Sequence, residues 1–293
     1  MSNSKYSLSI LYTAVLLLSL NGLFSKLIPL DAVTLIQVRS VMAAIALLVF
    51  ALLGKRAFRL RSVKEYAGVY AVGVILGLHW ISFYHSMQIS TIAIGMLSLF
   101  TYPVITVFLE PFFSKKRIQR SDVAAAIFVF AGIAIMVGDD LNKINSAAMQ
   151  GVIWGVLSAL LFSMRNLLQK YNYANVLSDS LIFHQVIAIA FMLIVFIDVG
   201  SLVALKANDW ILIVLLGVIS TAAAHSLLSF SLKHLPAKTI AMISCLQPLL
   251  AAGFAWLVLD EVPTMGIVTG GLIIVSVAFY ESVYHLSTRV KKV

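Results

Sequence analysis

His79 and His225 each interrupt an apolar run, and each has serines at helical spacing beside it. Residues three or four apart share a helix face. His79, Ser82, Phe83 and Ser86 therefore form one stripe, and His225 and Ser229 form another. A neutral imidazole offers one donor and one acceptor, which suits a substrate amide or carboxylate. It also titrates near physiological pH, so proton coupling is within its chemistry. The competing use is structural, a bond to a serine or carbonyl of the next helix. Trp80, Tyr84 and Trp154 offer aromatic walls nearby, and His85 lies closer to the end of its run.

A second set of chemistry-bearing residues is cationic or kinked. Ser19, Gly22 and Lys26 share a face, with Asn21 and Ser25 beside it. Trp154, Ser158, Leu161 and Arg165 share another, and Arg39 stands early in its own run. Cations near a helix end snorkel to water at little cost. Their functional alternative is to draw a carboxylate-bearing substrate into each mouth. Pro103 and Pro248 sit inside apolar runs, where each removes a backbone donor and frees a carbonyl. Tyr102 and Gln247 precede them and are candidates for the same cavity wall.

These groups must be positioned by membrane helices. The chain has 293 residues, 61% hydrophobic and 11% charged. Soluble domains carry about 25% charged residues, so a bilayer is the simpler solvent. The net charge of +9 sits in short runs between apolar segments, without the interleaved aromatics of a nucleic-acid surface. The single cysteine, Cys245, excludes an internal disulfide and reads as a small buried apolar side chain. The N-terminal apolar run has no A-x-A-like cleavage site and reads as a retained first span.

About 20 helical residues cross the hydrocarbon core. Ten runs qualify, roughly 8–28, 32–53, 66–87, 91–112, 121–138, 149–169, 180–200, 209–232, 238–258 and 265–285. With the N-terminus inside, 16 of the 21 basic residues fall on the inner side, from Lys5 through Lys55, Arg59, Arg61, Lys115, Lys116, Arg120, Lys170 and Lys233 to Arg289. Lys26, Lys143 and Lys206 fall outside, with Asp31, Asp139, Asp140, Asp198, Asp209, Asp260 and Glu261. That bias places both termini in the cytoplasm.

The chain also repeats itself. A shift of 145–146 residues carries Pro103 onto Pro248, His79 onto His225, and Leu35-Ile36 onto Leu181-Ile182. A shift of 139 carries Ser19 onto Ser158 and Lys26 onto Arg165. Two units follow, 1–145 and 146–293. Five spans per unit is odd, so the second unit enters the membrane from the other side. Such inverted repeats hold a substrate site near the midplane and exchange conformations to alternate its access. Small-residue pairs, Gly73/Gly77 and Gly266/Gly270, fit close helix packing.

At this level the sequence resembles the drug/metabolite transporter superfamily, specifically its EamA-type members. LIQVRSVMAAIALL (35–48) is similar to the family's second span, with its arginine at Arg39. PLLAAGFAWLVLDEVPTMGIVTGGLIIV (248–275) is similar to the ninth and tenth, with the family's glutamate at Glu261 and its small-residue helix at Gly270 and Gly271. Lys116 stands where the first unit would repeat that glutamate. The resemblance implies a ten-helix all-α transporter that exports amino acids or related amphipathic metabolites. No cofactor, metal ion or nucleic acid is called for. The expected partners are a small-molecule substrate and the bilayer, with the protein acting as a monomer or a homodimer. The expected place is a bacterial cytoplasmic membrane.

Two rival classes lack their signatures in the sequence. An intramembrane enzyme needs an activated nucleophile with a base in reach. Ser220 and His225 are five residues apart, roughly 140° off one α-helical face. No H-E-x-x-H or G-x-S-x-G is present. A channel or receptor would need a filter-like loop or a ligand-forming lysine, and neither is visible.

Overall fold

The computed structural model describes all residues except 1, 56–57, 114–117, 119, 139–145, 235–242, 245 and 291–293, with backbone alone at 2–5, 178, 229, 232–234, 278 and 281–290. Cys245, the Ser229 side chain and the loop charges Arg56, Lys115, Lys116, Arg117, Asp139, Asp140, Lys143, Lys238, Lys291 and Lys292 therefore lie outside the description.

The described residues form helices and no strands. Eight helical stretches are long and apolar enough to cross a membrane: Tyr6–Leu27, Ala32–Leu53, Val63–Ile89, Ile92–Phe112, Arg120–Val137, Ala147–Asn172, Asp179–Phe196 and Ala207–Leu228. They correspond in order to the first eight expected spans. Two further helices, Gln247–Leu259 and Met265–Val290, stand where spans nine and ten were expected. Their described apolar parts, Gln247–Leu259 and Met265–Val277, are shorter than a crossing. A short helix, Val199–Val203, lies between the seventh and eighth spans.

The breaks between spans have local causes. Asp31 accepts from the backbone amides of Val33 and Thr34 at 2.8 and 3.2 Å and so starts the second span. Ser62 accepts from Glu65 N, while the Glu65 carboxylate accepts from Arg61 N, close to a reciprocal cap for the third. Thr91 and Ser146 cap the fourth and sixth. The turn at Ser90 needs almost no polar sequence because Thr91 supplies the cap at once.

Side-chain bonds fix the direction of the spans. Tyr84 bonds Asn21, and Gln88 bonds the Ser25 carbonyl, so the first and third spans run parallel. His79 meets Ser158, and Ser86 bonds the Gly151 carbonyl, so the third and sixth run antiparallel. The leading helices of the two halves thus point in opposite directions. Neighbours follow the same exchange of halves. The third span packs on the sixth as the eighth packs on the first, and the second packs on the seventh. The fifth packs on the last helix, where Gly270 meets the Gly132 backbone. Gly73 meets the Gln185 backbone of the seventh span in the same way, so a Cβ there would lie 2.9 Å from Gln185 Cα. Both small-residue pairs therefore serve close packing.

Leu35, Ile36, Leu76, Met87 and Ile189 lie in the main buried cluster between these spans. Phe128, Phe130, Phe191, Trp256 and Leu257 face outward. In water so many exposed large apolar groups would drive association; in lipid they are at home.

Candidate functional site

The antiparallel halves leave a cavity of about 120 Å³ between them. Asn21, Arg39, His79, Trp80, Tyr84 and Tyr102 line it from the first half, and His225 and Gln247 from the second. Met96, Leu99, Phe83 and Phe162 are among the rest of the wall, so the chamber is mostly apolar with a few converging polar groups.

Arg39 is the most unusual of these residues. It is only 1% exposed. Its Nε donates to Thr221 Oγ1 at 2.6 Å. Its guanidinium carbon lies 4.3 Å from the centroid of Trp80 and 5.2 Å from that of Tyr84, within cation–π range. Nη1 has no hydrogen-bond partner among the described residues. Arg39 therefore does not snorkel to a mouth as helix-end cations do; it is enclosed at the chamber.

The eighth span is adapted to meet it. Residues Leu216–Ala223 form a π-helical segment, and the Thr221 hydroxyl donates to the Leu216 carbonyl five residues back at 2.9 Å. Such bulges recur at functional sites. Gly217 permits the approach, since a Cβ there would stand 3.3 Å from the Arg39 carbonyl.

His79 bonds a neighbouring helix and also lines the cavity. Nδ1 lies 2.8 Å from Ser158 Oγ and 3.0 Å from the Ser158 carbonyl, while Ser158 Oγ donates to the His79 carbonyl at 3.1 Å. Its ring stacks on Phe162 at 4.8 Å and still lines the cavity. His225 lies 5.9 Å from Trp80, ring to ring, and makes no hydrogen bond among the described residues. Ser19, the repeat counterpart of Ser158, bonds the Val15 carbonyl instead. The two histidines are thus related by sequence but held differently.

Pro103 and Pro248 both take the second position of a new helix, Tyr102–Leu109 and Gln247–Leu259. Each therefore marks a break rather than a smooth bend. A proline deprives the carbonyl four residues back of its donor. Those residues are Leu99 and Ser244, and both line the cavity. Tyr102 and Gln247 line it beside them.

Other sequence candidates lie elsewhere. The Ser82 hydroxyl bonds the Leu78 carbonyl of its own helix, and the residue is absent from the cavity wall. Trp154 is half-buried against His85, ring centroids 5.0 Å apart, and also lies off the cavity. Ser158 reaches the chamber only through His79. The Ser220 hydroxyl has no partner among the described residues, so it forms no nucleophile–base pair with His225. Thr221, Phe83, Phe162 and Ser244 were not singled out from sequence as site residues; Phe83 shares the His79 stripe, which was the one available signal.

Lys26 and Arg165 do not line the chamber either. Lys26 Nζ donates to the carbonyls of Ser90 and Gln88 at 2.8 and 3.3 Å and lies 3.6 Å from Glu261 Oε1. Glu261 Oε2 accepts from Ile92 N at 3.0 Å. Arg165 bonds Gln185 and Asn166 at 2.8 and 3.1 Å. A second ion pair joins Lys170 Nζ to Glu110 Oε1 at 2.7 Å, with the Tyr171 hydroxyl also on that oxygen. Lys26 ends the first span and Lys170 ends the sixth. Those spans are antiparallel, so the two pairs lie at opposite ends of the bundle.

Comparison with known proteins agrees with this arrangement. The model of the EamA-like transporter family matches residues 5–138 and 149–280. The chain is similar to the uncharacterized transporter YxxF of Bacillus subtilis (strain 168), 28% identical over 246 residues, covering 83% of this chain and 77% of the relative. Its fold is similar to that of a protein of known crystal structure, with a TM-score of 0.64 at 16% identity, covering 96% of this chain and 98% of the other. One family's model thus describes each of the two oppositely directed halves: the chain belongs to the EamA-like transporter family.

Proposed function

We propose that this membrane transporter moves a small amphipathic metabolite out of the cell by alternating access, with amino acids and related compounds as the substrate class. The units 1–145 and 146–293 act as one transport unit of ten crossings around the shared chamber. Both termini lie in the cytoplasm of a bacterial cytoplasmic membrane. The partners are the small-molecule substrate and the surrounding lipid.

One observation carries this reading. The polar groups of the chamber come from both antiparallel halves, and an ion pair lies at each end of the bundle. Exchanging the conformations of the halves opens one end as it shuts the other. Substrate binding supplies no fixed gate of its own; it shifts populations between two shapes of similar energy.

Solute counterflow in proteoliposomes tests the reading. Protein loaded with a metabolite pool released by overproducing cells should concentrate a labelled member of that pool transiently against its gradient. Passive equilibration, as through a channel, or no flux with any pool member would contradict it.

A further inference from the structure

We propose that the chamber is built for a small carboxylate of net negative charge anchored on Arg39, and that it discriminates against the zwitterion of the same skeleton. The proposal rests on the carrier reading above and narrows its substrate class, from amino acids and related compounds to those of them that carry a carboxylate without an ammonium group.

The first reason is that Arg39 is a buried cation with no ion-pair partner among the described residues. Thr221 contributes a hydroxyl, and Trp80 and Tyr84 contribute ring faces. These are partial charges, so they orient the guanidinium without neutralising it. Nη1 has no hydrogen-bond partner among the described residues, on a side chain that lines the cavity. A guanidinium presents its donors as a planar fork, which matches a carboxylate.

The second reason is the absence, among the described residues, of an anionic partner for an ammonium group. No Asp or Glu lines the cavity among the described residues. Residues 235–242 and 245, next to the lining residue Ser244, contain no acid in the sequence. Glu261 and Glu110 are engaged with Lys26 and Lys170 at the two ends of the bundle. The face of Trp80, the natural neutral host for a cation, already carries the Arg39 guanidinium. An α-ammonium would enter beside a fixed positive charge and be repelled by it.

The third reason is size and polarity. Much of the remaining wall is apolar, with Met96, Leu99, Phe83 and Phe162 among it, which suits a short apolar tail. His225 and Gln247 share the wall with Arg39 and make no hydrogen bond among the described residues. They are further groups for a carboxylate or an adjacent oxygen.

The test uses two pairs of probes matched in skeleton, lactate with alanine and 2-oxoisovalerate with valine. A ligand that binds the native state raises its unfolding midpoint. The two acids should raise the midpoint of the purified full-length protein, and each amino acid should need at least ten-fold higher concentration for the same shift. Arg39→Gln should abolish the response to the acids. Arg39→Lys should retain a weakened one, because a point charge replaces the fork. The comparison within the wild-type protein needs no variant, so it stands even if Arg39→Gln fails to fold. Equal or tighter response to the amino acids, an undiminished response in Arg39→Gln, or no response to any of the four would overturn the proposal. Counterflow with the same four separates it from the carrier reading. Exchange of amino acids without the acids overturns the anion site alone. Binding of the acids without any exchange overturns the carrier alone.

Discussion

Arg39 Nε and Thr221 Oγ1 lie 2.6 Å apart and join the second span to the eighth across the two halves. The bond is fully buried, and the threonine hydroxyl in turn donates a hydrogen bond to the Leu216 carbonyl. Thr221→Val keeps the shape and removes both bonds. Polar contacts between membrane helices are worth about 1–2 kcal/mol, and a stranded charge raises the cost. The valine variant should unfold in detergent at a lower midpoint, and Thr221→Ser should stay near the wild type. Equal midpoints for all three would remove the bond from the structure's support.

The third and seventh spans touch at Gly73. A Cβ there would meet Ala188 Cβ at 2.8 Å and Gln185 Cα at 2.9 Å, the latter being backbone that cannot swing aside. Overpacking of this kind costs about 1–3 kcal/mol. Gly73→Ala should therefore lower stability in a thermal-unfolding assay. Gly253 offers an internal control, since nothing lies within 4 Å of its added Cβ. Gly253→Ala should be neutral or stabilising by up to about 1 kcal/mol through helix propensity. Reversed signs at the two sites would contradict the packing described.

The histidines should separate by readout. His79 is bound to Ser158 and stacked on Phe162, whereas His225 has a ring contact alone. His79→Ala removes buried hydrogen bonds worth about 1–3 kcal/mol and should reduce both stability and transport. His225→Ala should leave the unfolding midpoint within experimental scatter and still slow transport several-fold. The double variant should transport at least several-fold more slowly than the wild type at matched expression. Unchanged kinetics in the double variant would take both side chains out of the site.

How much of this was written in the sequence follows from the range of each interaction. The first eight spans were legible because solvent alone demands long apolar runs; the caps Ser62, Thr91 and Ser146 that set their exact starts were not, since a capping serine or threonine looks like any other polar residue in sequence. The breaks at Pro103 and Pro248 were legible because a proline acts on its own helix. The Arg39–Thr221 bond was not, since it joins residues 182 apart and depends on a π-helical segment that leaves no compositional trace. Ser82 and Trp154 shared the expected polar faces, yet one bonds its own helix and the other packs on His85. A helical face shows only that a side chain must turn from lipid; it does not distinguish a cavity from a neighbouring helix. The opposed ion pairs were hidden for a related reason. The repeat pointed to Lys116 and Arg165 as counterparts of Glu261 and Lys26, whereas Glu110 and Lys170 form the second pair.

Those pairs give the most direct measurement of the central claim, that one chamber between oppositely directed halves is reached from each side in turn. A single cysteine replaces Met96 in the cavity wall, with Cys245→Ser removing the native thiol. A membrane-impermeant maleimide is then applied to right-side-out and inside-out vesicles. The Lys26–Glu261 groups are each about a fifth exposed, and such a pair is worth about 0.5–1 kcal/mol, roughly a two- to five-fold shift in population. Glu261→Gln should raise labelling by that factor from the outside and lower it from the inside. Glu110→Gln should do the reverse. Labelling confined to one side in every variant, or raised from both sides together, would contradict alternating access.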